Sequence, residues 1–114
     1  MIRAWYDDSD KKVKAKFESR LQTLANRPRL EWQDPLFKQL HGKYSDLGEI
    51  RFEAKGSAWR PLGFHHAGNF ILLFPAKEIN DRFEPKSAPD TALTRRTEVL
   101  NDMERTRGLW FPIL

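Results

Sequence analysis

Val13, Phe17, Leu21 and Leu24 recur every three or four residues in SDKKVKAKFESRLQTLANRPR. That spacing puts them on one face of an amphipathic helix. Asp8, Ser9 and Asp10 are its candidate N-caps, and Pro28 ends it. Lys11, Lys12, Lys14, Lys16 and Arg20 spread over the rest of its surface. A basic outer face of this kind is ordinarily solvated, and the functional reading of it is a contact with RNA or an antitoxin. DPLFKQLHGK predicts a short second helix over 34–42, with Asp34 as cap, Pro35 in the first turn, Gly42 as stop and His41 in its last turn. Trp32, Leu36, Phe37 and Leu40 supply its buried side.

The period then changes to two. In GEIRFEA, Ile50 and Phe52 face one way and Glu49, Arg51 and Glu53 the other, as on a half-buried strand. KGS is a turn, and AWRPLGF is a second strand with Trp59 and Pro61 on one parity and Arg60, Leu62 and Phe64 on the other. Pro61 cannot donate to a ladder and marks an edge, a bulge or a gap in pairing. HAGN turns the chain into FILLFPAK, apolar on both faces and so a buried central strand. FEPKSAPD reads as a loop, and DTALTRRTEVLNDMER as a final helix capped near Asp90 or Thr91, with Ala92, Val99, Leu100 and Met103 inside. Ile2 to Tyr6 is a candidate short strand at the start. Short turns between consecutive strands predict an antiparallel meander, and helices before and after it predict an α+β domain spanning residues 1–114.

Composition narrows the class. Hydrophobic residues make up 39% of the chain, enough to argue against disorder, and no apolar run is long enough to span a membrane. The opening MIRAWYDDSDKK has no apolar stretch, so no secretory leader is expected, and the absence of cysteine fits a cytoplasmic location. No His, Cys or carboxylate spacing resembles a metal centre, and no cofactor is expected. The net charge of +4 favours an anionic partner. Residues 1–31 carry eight Lys or Arg against five Asp or Glu, whereas 32–76 carry five against four. Bulk charge therefore points to the first helix and does not by itself mark the sheet.

LHGKYSDLGEIRF, WRPLGF, FILLFPAKEI and PDTALTRRTEVL, in this order, resemble the phage-derived branch of the RelE/ParE/HigB toxin superfamily over residues 30–105. The resemblance implies a small twisted antiparallel β-sheet of three to four strands, packed against two N-terminal helices and followed by a C-terminal helix. It implies a cognate antitoxin, of helix-turn-helix type, as partner, and mRNA on the ribosome as substrate. The expected activity is that of a metal-independent endoribonuclease. The alternatives are a ParE-like gyrase poison and an inactive phage-derived binding protein of the same fold. Arg51 matches the arginine of the family's second strand, Arg60 that of its third, and Lys77 a basic position at the end of its last strand.

Arginine suits a phosphate because its fork binds two oxygens and stays protonated. Arg60, Arg51 and Lys77 are accordingly expected to meet at one phosphate. The plain alternative for Arg60 is a salt bridge to Glu49, Glu53 or Glu78, and for Arg51 an ion pair on a solvated face. His65 is the candidate proton-transfer group, set against two exposed turn histidines as the plain reading. Lys43, Tyr44 and His66 are candidate substrate contacts. The apolar tail GLWFPIL either folds back on the core or offers a surface to an antitoxin or to a second copy of the chain.

Overall fold

Asp10 caps the long basic helix as its side chain predicts, accepting from the backbone N–H of Lys12 at 2.7 Å. The structure, a computed structural model, describes residues 2–102 and the two-residue strand 110–111. Two helices come first, α1 (Ile2–Asp8) and α2 (Lys11–Ala25). Six strands follow: β1 (Phe37–Gln39), β2 (Gly48–Ile50), β3 (Phe52–Ala54), β4 (Ser57–His66), β5 (Asn69–Ile79) and β6 (Arg82–Glu84). Helix α3 (Ala88–Asn101) and β7 (Trp110–Phe111) complete the described elements. The fold is α+β, and every strand pairing is antiparallel.

The sheet runs β1-β2-β4-β5-β6, with β3 beside β4 and β7 beside β5. It buries both faces. Phe17 and Leu24 of α2 pack with Phe37, Ile50, Phe52, Phe70 and Leu72 on one side. Ala88, Ala92 and Val99 of α3 pack with Leu62, Phe64, Ile71 and Leu73 on the other. The β4–β5 ladder shifts register between Leu62, opposite Phe74, and Gly63, opposite Leu72. Leu73 is thus the extra residue of a β-bulge, which lets Leu73 and Phe74 both serve the α3 side. Gly63 is required there, since a Cβ would collide with the carbonyl oxygen of Ile71 and the ring of Phe70.

Three expectations are corrected. Ile2 to Tyr6 is helical, because Ile2, Trp5 and Tyr6 recur at three and four rather than alternating, and Trp5 meets Phe17 edge-on at 5.2 Å. The second N-terminal helix is therefore α1, which lies before α2. The segment 34–42 forms a turn and β1, whose Phe37 pairs with Ile50, because so short a helical pattern loses to cross-strand pairing and burial. His41 consequently precedes a single 3₁₀ turn, Gly42–Tyr44. The sheet also has more strands than three to four: β1 pairs with β2, the supposed loop supplies β6, and GEIRFEA is split at Arg51 into β2 and β3.

The final helix starts at Ala88 with Pro89 in its first turn, so Asp90 lies inside it rather than capping it. Met103 lies outside the described residues. Of the apolar tail, Trp110 and Phe111 pair with Ile71 and Phe70, and the remainder lies outside the described residues. Among the described residues no helix is long and apolar enough to cross a membrane.

Candidate functional site

The break between β2 and β3 places Arg51 where strand pairing is interrupted. Its backbone N–H goes to Leu36 O at 2.9 Å, outside the β2 and β3 ladders. Its side chain is therefore not committed to the strand alternation of its neighbours. Glu49 lies opposite Leu62, and Arg60 opposite Ala76, on the sheet face that α3 covers only in part. Glu78, two residues beyond Ala76 on β5, shares that face.

These four side chains meet. Arg60 donates from Nε to Glu78 Oε1 at 2.9 Å, and from Nη1 to the carbonyl oxygens of Trp59 and Phe52 at 2.9 and 3.4 Å. Arg51 donates from Nη1 to Glu49 Oε1 at 2.8 Å, and its Nη2 stands 3.8 Å from the same Glu78 oxygen. Asp34 reaches Arg51 Nε at 3.4 Å from the turn before β1. Arg60 and Glu49 are 6% and 4% exposed, so both charges are held out of water. Burial pushes the Glu49 carboxyl above its ordinary range, further than Arg51, Arg60 and Lys38 pull it down.

Two grooves open onto this cluster. One, of about 220 Å³, lies over the sheet and is lined by Lys38, Leu40, Glu49, Arg51, Glu78 and Arg82, among others. The other, of about 450 Å³, lies between α2 and β3 and is lined by Lys16, Arg20, Asp34, Arg51, Glu53 and Arg60, among others. Arg51 lines both.

Of the residues expected at one phosphate, the structure brings Arg51 and Arg60 together and sets Lys77 apart. Lys77 neighbours Glu78 on β5 and so points to the opposite face, where its Nζ lies 4.5 Å from the centroid of Trp59. Lys43 and Tyr44 form a separate group with Asp90 of α3: Lys43 Nζ at 3.3 Å, and the Tyr44 hydroxyl donating at 2.8 Å. His65 is neither exposed nor beside the arginines. It sits among Trp32, Phe37 and Phe70, with centroids 4.7, 5.8 and 5.0 Å away, and its Nε2 is buried without a hydrogen-bond partner. Burial, with the Arg29 charge adding, pulls it down to about 4. His66, next along the strand, lies by Phe64 at 6.0 Å.

The ion pair from Arg60 to Glu78 was one of the sequence readings, and it coexists with convergence on Arg51. What sequence reasoning missed is Glu49 as a buried carboxylate with an altered proton affinity. Alternation puts it on the face of Arg51, but nothing in the local pattern shows that β1 and β4 would flank it, with Lys38 and Leu62 as its cross-strand neighbours. Among the described residues, no group of three or more His, Cys, Asp or Glu side chains is placed to hold a metal ion. No protein-family model matches the chain, and no curated protein and no solved structure does.

Proposed function

We propose that this protein is a metal-independent endoribonuclease, the toxin of a cytoplasmic toxin–antitoxin pair that acts on mRNA at the ribosome. One observation carries the reading: Arg60 of β4 and Arg51 from the break between β2 and β3 flank a single carboxylate oxygen, Glu78 Oε1, beside the buried Glu49. An anion held between two guanidinium groups marks where a non-bridging phosphate oxygen would lie. The Glu78 carboxylate occupies that place in the free chain, and the substrate phosphate displaces it.

The chemistry then uses what is there. The ribose 2′-oxygen attacks the adjacent phosphorus, the P–O5′ bond breaks, the leaving 5′-oxygen takes a proton from water, and a 2′,3′-cyclic phosphate and a 5′-hydroxyl result. Arg51 and Arg60 bear on the equatorial oxygens, whose charge grows in the transition state; fixed donors of this kind are worth about 10²–10³-fold each. Glu49 takes the 2′-proton, a task its raised proton affinity favours over an ordinary carboxylate. A cognate antitoxin of helix-turn-helix type would act by covering this face.

Inducing the protein in cells and mapping transcript ends tests the reading. Codon-phased cleavage, lost with Arg51→Lys, is the expected result; trapped double-strand DNA breaks or unimpaired growth overturn it. A second reading, partner binding without chemistry, has its own observation: both arginines are already paired with carboxylates. Gyrase poisoning and an inactive phage-derived binding protein are its two forms.

A further inference from the structure

Among the described residues, the groove between α2 and β3 is held by no ion pair from its α2 wall. Lys16 and Arg20 stand one helical turn apart on α2, so both present to the same side, and both line the groove with Ser19 and Thr23. Among the described residues, neither Lys16 nor Arg20 has a carboxylate within ion-pair distance, while Lys43, Arg51, Lys55, Arg60 and Arg96 all do. Arg20 is half-buried rather than free in solvent. Burial, and then the charge of nearby Arg27, make its protonated form harder to hold there. A partly desolvated guanidinium beside a second cation, with no counter-charge, is an arrangement that an anion would stabilise. The opposite wall supplies Arg51 and Arg60 against Asp34 and Glu53, so cations outnumber carboxylates in the groove.

We infer that this groove is a second phosphate subsite, in which Lys16 and Arg20 hold the backbone of single-stranded RNA leading away from the cluster of Arg51 and Arg60. The inference rests on the proposed RNA substrate and adds the path that substrate takes. Arg51 lines both grooves, so a strand whose scissile phosphate lies at Arg51 and Arg60 has a continuous route along α2. The hydroxyl of Ser19 adds a neutral donor of the kind that contacts phosphate oxygens, whereas that of Thr23 is spent on the Ser19 carbonyl oxygen at 3.0 Å. An acidic peptide is the weaker fit, because the groove has little apolar wall for side-chain anchors beyond Pro35, Leu36 and Phe52.

The test uses the full chain and a short single-stranded RNA with 2′-O-methyl riboses, which binds but cannot be cleaved. Affinity is measured over a range of salt for wild type and for K16Q/R20Q, with thermal unfolding confirming that the variant folds. Two lost phosphate contacts should weaken binding about tenfold and flatten the slope of log K against log salt by about 1.4. A folded variant with wild-type affinity and slope overturns the subsite, even if wild type cleaves unmodified RNA and the proposed function stands. Wild type that binds the probe, with the variant showing this slope loss, but cleaves no unmodified RNA supports the subsite and overturns the nuclease. No binding of the RNA, with tight binding of an oligoglutamate peptide that K16Q/R20Q loses, overturns the subsite in favour of an acidic protein.

Discussion

Arg60 donates to Glu78 across 2.9 Å from β4 to β5, and the oxygen it binds is the one that Arg51 approaches at 3.8 Å. A single acceptor thus fixes the relative position of two guanidinium groups, one carried by β4 and the other by the break between β2 and β3. Arg51→Ala would leave the buried Glu49 without its ion-pair partner, at a cost of about 3–5 kcal/mol, and Arg60→Ala would empty a buried position beside the half-buried Glu78, so alanine confuses folding with function. Lysine is the better probe. Arg51→Lys and Arg60→Lys keep the charge and lose the fork, and each should lower kcat about a hundredfold while the unfolding midpoint moves little. Steady-state kinetics on a defined RNA, with thermal unfolding alongside, checks both halves.

Glu49 offers a separate handle. Its proton affinity is raised chiefly by burial, so the carboxylate form a base needs disappears as pH falls through a value above the ordinary carboxylate range. The profile of kcat/KM against pH should therefore show an acidic limb displaced upward from an ordinary carboxylate. Glu49→Gln should lower the rate and abolish that limb. A profile with the same limb in the variant would assign the base elsewhere.

The elements whose signal is local were legible in the sequence, and those decided at long range were not. The stripe Val13, Phe17, Leu21, Leu24 and the cap at Asp10 specify α2 without help from the rest of the chain. The run FILLFPAK reads as a central strand because both its faces are apolar. By contrast, Phe37 becomes a strand residue only because Ile50 is across from it, and Arg51 leaves the ladder only because β1 and β4 hold what precedes it. The site follows the same rule. Arg51 and Arg60 could be named from their place in alternating strands, but the β5 residue that joins them, Glu78, depends on register. Lys77 fails to join them by one residue of that register, which sends it to the other face.

His65 provides a stability test. Its folded value is lowered to about 4, so the folded state favours neutral imidazole; the stability this contributes is present above the unfolded value of 6.5 and is lost as pH falls toward 4. After discounting for partial exposure, the loss amounts to about 1–2 kcal/mol. His65→Phe keeps the aromatic contacts and removes the titration. Urea unfolding between neutral pH and about pH 4.5 should show wild type losing this much more than the variant. Equal losses would place the acid sensitivity elsewhere.

The bulge at Leu73 predicts a sharp response at Gly63, where no side chain fits against Ile71 and Phe70. Gly63→Ala should destabilise the fold by about 2–3 kcal/mol, as overpacking in a closed core does. Alanine at Gly56, whose Cβ would meet nothing within 4 Å, serves as the comparison, its cost arising only from the positive φ of 75°. Chemical denaturation of both variants measures the difference.

The most direct measurement is the chemistry of the cut ends. Purified protein, with translating ribosomes present, should convert mRNA to fragments ending in 2′,3′-cyclic phosphate and beginning with 5′-hydroxyl, and Arg51→Lys should make them about a hundredfold more slowly. Intact RNA under the same conditions, or fragments carrying 5′-phosphate and 3′-hydroxyl, would contradict an attack by the 2′-oxygen at the Arg51–Arg60 cluster.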